Sequence, residues 1–123
     1  MKLLELFAGS RSVGKVAERR GWRVFSVDIE PFPGIDHVGD IRRLRPAHDV
    51  PFTPDAIWAS PPCTTFSVLA LARHWTVEGL PKTDAAKEGV NIVQHTLRVI
   101  RFFLERNPHL KFYIENPRGK LRS

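Results

Sequence analysis

The chain has 123 residues, 19 Lys+Arg against 13 Asp+Glu for a formal net charge of +6, and one cysteine. That length suits a single domain of about 100–200 residues, and a lone cysteine excludes a scaffold stapled by internal disulfides. No apolar run reaches the roughly 18 residues that a membrane-spanning helix needs, and Lys2 and Glu5 bring charge too early for a signal peptide; a cytoplasmic protein with a basic surface is expected.

In chain order, residues 3–8 form an apolar run interrupted only by Glu5, which predicts a buried strand. The small-residue turn Gly9-Ser10-Arg11-Ser12 follows. Val13, Val16, Ala17 and Arg20 then recur at helical spacing, with Ser12 as the N-cap and Gly21 as the stop. Residues 23–27 predict a second strand, residues 30–34 a loop, and His37-Val38 a short third strand. Residues 56–59 predict a fourth strand, stopped by Ser60-Pro61-Pro62. From 84 to 107, Ala86, Val90, Val93, Leu97, Ile100 and Leu104 alternate fours and threes and so mark one apolar helix face. Asp84 is placed to cap that helix and Asn107-Pro108 to end it. A fifth strand, 111–114, precedes Glu115-Asn116-Pro117. Alternating strands and helices imply a mostly parallel sheet with crossover helices, a Rossmann-like α/β fold in one domain, 1–123.

In such sheets ligands bind beyond the carboxyl ends of the strands. The turn at Gly9, Asp28, Asp40, Pro61-Pro62-Cys63 and Glu115-Asn116-Pro117 all fall there. A carboxylate in the place of Asp28 suits ribose hydroxyls, although a plain strand-end aspartate reads the same way. Cys63 follows two prolines and precedes Thr64, Thr65 and Ser67, a setting for a partly open thiolate rather than a buried small hydrophobe. Glu115 lies one strand over, where it can hold or donate a proton. The five histidines (37, 48, 74, 95 and 109) show no ligand spacing, so no metal site is expected. Gly-x-Ser-x-Gly and phosphate-cradling Walker sequences are absent. Of the 19 basic residues 13 are arginine, the side chain suited to forked phosphate contacts; this suggests a polyanionic partner, most commonly nucleic acid, although codon bias gives the same composition.

Together these pieces resemble the cytosine-C5 DNA methyltransferase family, and small phage-encoded members most. Leu4-Glu5-Leu6-Phe7-Ala8-Gly9 resembles its first motif, which implies that Phe7, Ala8, Gly9, Ser10 and Ser12 hold S-adenosylmethionine. Val27-Asp28-Ile29 is similar to the ribose- and adenine-contacting segment, and Gly39-Asp40-Ile41 to the adenine-edge segment. DAIWASPPCTTFS (55–67) resembles the Pro-Cys catalytic motif, with Ser60 and Pro61 against the cofactor and Pro62 and Cys63 in catalysis. Tyr113-Ile114-Glu115-Asn116-Pro117 resembles the Glu-Asn motif. The turn Gly9-Ser10-Arg11-Ser12 carries less glycine than the family's. The resemblance implies a flipped cytosine, attack by Cys63 on C6, support of N3 by Glu115, Asn116 holding the prolines, and residues 64–82 closing over the base. It covers the family's N-terminal part, without later motifs or C-terminal strands. Hence the expectations of an open sheet edge that self-associates or takes a C-terminal partner, and of an activity that the short chain lacks or retains only weakly. The alternative reading is a non-catalytic module that binds nucleic acid or a partner methyltransferase. RNA as substrate is not distinguished from DNA by these motifs.

Overall fold

A computed structural model of the chain describes residues 1–61 and 84–115. Its elements are β1 (Lys2–Leu6), α1 (Ser12–Arg19), β2 (Arg23–Asp28), β3 (His37–Val38), a 3-10 turn (Ile41–Arg43), α2 (Pro46–Asp49), β4 (Ala56–Ala59), α3 (Asp84–Arg106) and β5 (Lys111–Ile114). The five strands form one sheet in the order β3-β2-β1-β4-β5, and every described pairing is parallel. This is a Rossmann-like α/β arrangement. The order reverses direction at β1, so the loops leaving β1 and β4 diverge and open a crevice at the carboxyl edge.

Side chains alternate across a strand, so each strand serves two faces. Leu4, Leu6, Val27, Ile57 and Ala59 belong to the same buried cluster as Val99, Ile100 and Phe103 of α3. Burying each large apolar side chain there contributes about 1.5–3 kcal/mol. Ile41, Leu44 and Val50 extend the same core, and the Arg98 guanidinium donates to the carbonyls of Ile41 (3.3 Å) and Leu44 (3.0 Å). That tie holds the segment after β3 against α3. Helix α1 covers β1 and β2 on the other face, where Glu5 meets Gly14.

The chain departs from its sequence pattern at three places. β1 ends at Leu6 rather than at 8, because Phe7 takes a left-handed φ of 55° and turns the chain. Ser12 is not the cap of α1. Arg11 is, with φ 63° and no side-chain cap, while the Ser12 hydroxyl pairs with that of Ser10 at 3.2 Å. Gly21 does stop the helix. At φ 85° it lets its own amide reach Glu18 and the Trp22 amide reach Ala17, both at 3.0 Å, which satisfies two end carbonyls. In α3 the buried stripe is rotated from the expected one. Leu97 is 44% exposed, whereas Thr96, Val99 and Phe103 are buried. Thr96 can be buried because its hydroxyl donates to the Ile92 carbonyl at 2.8 Å.

β5 forms one edge of the sheet among the described residues, with Phe112 44% and Tyr113 53% exposed. No described helix is long and apolar enough to cross a membrane.

Candidate active site

Because the strands are parallel, all five deliver their carboxyl ends to one edge. The turn after β1 alternates in hand: Phe7, Gly9 and Arg11 are left-handed at φ 55°, 53° and 63°, and Ala8 and Ser10 between them are not. Such alternation points successive amides into a concavity that receives an anionic group. Three amides of the turn are already used. Ala8 donates to the Val27 carbonyl (3.0 Å), Gly9 to the Asp28 carboxylate (2.8 Å) and Arg11 to the Ala8 carbonyl (2.8 Å). Those of Ser10, Ser12 and Val13 have no acceptor among the described residues. Gly9 is needed for its φ alone, since a side chain there would meet nothing within 4 Å.

This turn walls a cavity of about 360 Å³ with Glu5 beneath it and Trp58, Ser60 and Glu115 opposite. The Trp58 indole donates to the Ser60 hydroxyl at 3.0 Å and lies tilted at 37° against the Tyr113 ring, with centroids 5.8 Å apart. The Glu115 amide donates to the Ala59 carbonyl at 2.8 Å, which extends the β4–β5 ladder and sets Glu115 beside Ser60.

Glu5 is 2% exposed, an ionisable group inside a strand. Its carboxylate accepts the Gly14 amide and the Ser26 hydroxyl, each at 3.0 Å. Burial pushes its pKa up, and those two hydrogen bonds together with the charge of Arg11 pull in the opposite direction. Glycine at 14 leaves room for this carboxylate, with which a Cβ would collide.

On the β2–β3 side, the Asp28 carboxylate takes the Gly9 amide on one oxygen and the Glu30 amide (2.9 Å) on the other. Each oxygen keeps a lone pair for a hydroxyl. Asp40 caps the 3-10 turn and is clasped by the Arg42 guanidinium, which is the main cause of its pKa falling from the usual 3.8 to about 2.

No family model matches the sequence. It is, however, 31% identical over 122 residues to a protein named probable DNA (cytosine-5)-methyltransferase from Frog virus 3 (isolate Goorha), a match covering 95% of this chain and 54% of that protein. By sequence, the chain resembles this viral protein along nearly all of its own length. It spans about half the length of the viral relative.

The expected site residues do not all meet at the cavity. Phe7, Ala8, Gly9, Ser10, Ser12, Ser60 and Glu115 share the cavity, and Asp28 adjoins it through Gly9. Ile29, Asp40 and Ile41 do not line it. Ile29 is 63% exposed, Asp40 is engaged with Arg42, and the Ile41 side chain is buried in the α3 core. Pro61 is buried next to Ser60. Pro62, Cys63, residues 64–82 and Asn116 lie outside the described residues. Among the described residues no cluster of His, Cys, Asp and Glu could hold a metal.

Three cavity residues, Glu5, Val13 and Trp58, escape the sequence reading. Glu5 looks like a mere interruption of an apolar strand, and Trp58 like an ordinary strand aromatic. The signal for Glu5 was its period-2 offset from Leu4 and Leu6, which puts it on the α1 face, opposite a glycine nine residues on.

Proposed function

We propose that this chain carries the cofactor-binding and catalytic half of a DNA (cytosine-5)-methyltransferase, transferring a methyl group from S-adenosylmethionine to C5 of cytosine. The supporting observation is the cavity where the left-handed turn after β1 meets Ser60 and Glu115, in a chain related along nearly all its length to such an enzyme. The residues fit the cofactor. The amides of Ser10, Ser12 and Val13, without acceptors among the described residues, suit its carboxylate, Asp28 suits its ribose hydroxyls, and Glu115 lines the same cavity. S-adenosylmethionine supplies an electrophilic methyl group when bound.

The chemistry of this chain follows from Cys63, which lies two residues after Pro61. Attack on a cytosine needs the base outside the duplex, so the base is flipped toward the site. The Cys63 thiolate forms a bond to C6, and Glu115 shares a proton with N3 to take up the charge that the ring gains. The C5 carbanion character so generated takes the methyl group. Loss of the C5 proton and of the thiolate then restores the aromatic ring. Covalent attack splits one hard substitution into easier steps. The +6 charge favours a polyanionic substrate.

DNA carrying 5-fluorocytosine tests this, since fluorine at C5 blocks the final elimination. With S-adenosylmethionine present, the expected result is a denaturant-resistant adduct that Cys63→Ala abolishes. Cofactor binding without an adduct on any DNA would make the chain a non-catalytic module.

A further inference from the structure

We propose that Arg11 is a positioning residue that fastens the turn after β1 to the β2–β3 connection, so that the two ends of the cavity edge are set as one unit. The assignment of a ligand to that unit rests on the function proposed above; the fastening itself does not.

At φ 63° Arg11 occupies a left-handed conformation that penalises any residue with a Cβ by about 1–2 kcal/mol. Glycine would take the same turn freely, so the arginine side chain has to compensate. It does so by reaching three elements. Its Nε donates to the Ser26 hydroxyl on β2 at 2.9 Å, and its terminal nitrogen pairs with Glu18 on α1 at 2.7 Å. Its aliphatic and guanidinium atoms also lie against Gly34 in the β2–β3 connection, where a Cβ would come within 2.9 Å of them. The side chain is only 9% exposed.

Ser26 passes the tie onward. Its hydroxyl donates to Glu5 beneath the cavity, and its amide and carbonyl both pair with Asp36, at 2.8 and 2.9 Å. Arg11 therefore joins the anion-receiving turn on one side to residues 26–36 on the other, the stretch that carries Asp28. The guanidinium sits between two carboxylates, Glu5 through Ser26 and Glu18 directly, so its buried charge is balanced.

The test uses the full chain and four variants: Arg11→Gly, Gly34→Ala, their double, and Glu18→Gln. Amide exchange in the ligand-free protein is read at Ser26 and Asp36, S-adenosylhomocysteine affinity by calorimetry, and global stability by urea. Arg11→Gly removes the φ penalty yet should speed exchange at Asp36, and weaken the ligand, by about tenfold, the scale of a lost charge-assisted bond. Gly34→Ala should cost less in the Arg11→Gly background than in the parent, because the contact is gone while the strain at φ 85° stays. If Arg11→Gly does not fold, Glu18→Gln, which removes one arm at a half-exposed partner, should give a smaller shift of the same kind. Parent exchange rates and parent affinity in Arg11→Gly, or additive effects in the double variant, would overturn the proposal. A parent that fails to bind S-adenosylhomocysteine removes the cofactor reading alone, and the exchange data still decide the fastening.

Discussion

Gly14→Ala sets two opposed effects against each other at one atom. Within α1, alanine is favoured over glycine by about 1 kcal/mol. Here, though, the new methyl group would stand 3.1 Å from Cδ of Glu5 and 3.3 Å from Cγ1 of Val24, and closer still to a Glu5 oxygen. Overpacking of this kind costs about 1–3 kcal/mol. Pushing the carboxylate aside also puts its bonds to the Gly14 amide and Ser26 hydroxyl at risk, and one orphaned buried partner adds roughly 1–3 kcal/mol. After the helix gain is subtracted, the net loss is about 1–5 kcal/mol. Urea unfolding should show it as a midpoint lowered by at least about 0.3 M, at a slope of about 1–3 kcal/mol/M. The sharper reading comes from a second background. With Glu5→Ala in place the collision with the carboxylate is gone and only the close approach to Val24 is left, so the same Gly14→Ala change should cost much less than in the parent. If Gly14→Ala raises the midpoint in the otherwise unaltered chain, the close approach of α1 to Glu5 is wrong.

Two further outcomes are expected, besides the adduct and Arg11 experiments above. Asp40 has its pKa lowered in the folded chain, so its clasp with Arg42 stabilises the protein above the usual value and is lost as pH falls from about 3.8 toward about 2. Asp40→Asn should flatten that part of the acid-unfolding profile, by no more than about 1 kcal/mol for a partly exposed pair, and an unchanged profile would remove the clasp from the account. Gly21→Ala, at φ 85°, should cost about 1–2 kcal/mol in the unfolding midpoint even though its Cβ would touch nothing; a neutral result would mean that the end of α1 relaxes at no cost.

Much of the fold was legible because its strands are short and sharply bounded. β4 and β5 lie where Ala-Ile-Trp-Ala and Lys-Phe-Tyr-Ile stand between turn residues, and β3 is the expected pair His37-Val38. The convergence of Gly9, Ser60 and Glu115 on one cavity follows from parallel strands, which fix where every carboxyl end goes. What the sequence concealed were polar groups satisfied inside the protein. Thr96 looks like a solvent-facing residue until its hydroxyl finds the Ile92 carbonyl, and so the α3 stripe was expected one residue out of place. Arg11 reads as surface charge in a turn, and its left-handed backbone leaves no trace in the residue type. Ser12 resembles a cap, but the turn enters the helix one residue earlier than the pattern implies.

The position of β1 at the middle of the sheet also bears on how the chain folds. β1 pairs with β2 across a short crossover, Lys2 opposite Arg23, and that unit can close early. Its other partner, β4, begins opposite Leu3 at Ala56, and β4 in turn meets β5 at Lys111. Each of these later pairings brings together residues about 50 positions apart, and the loop entropy has to be lost before the contacts form. Folding should therefore begin with β1–α1–β2 and finish at β5. On that route the turn carrying Arg11 is formed in the first unit, whereas Ser60 and Glu115 reach it last, so the cavity is the final part of the sheet to assemble.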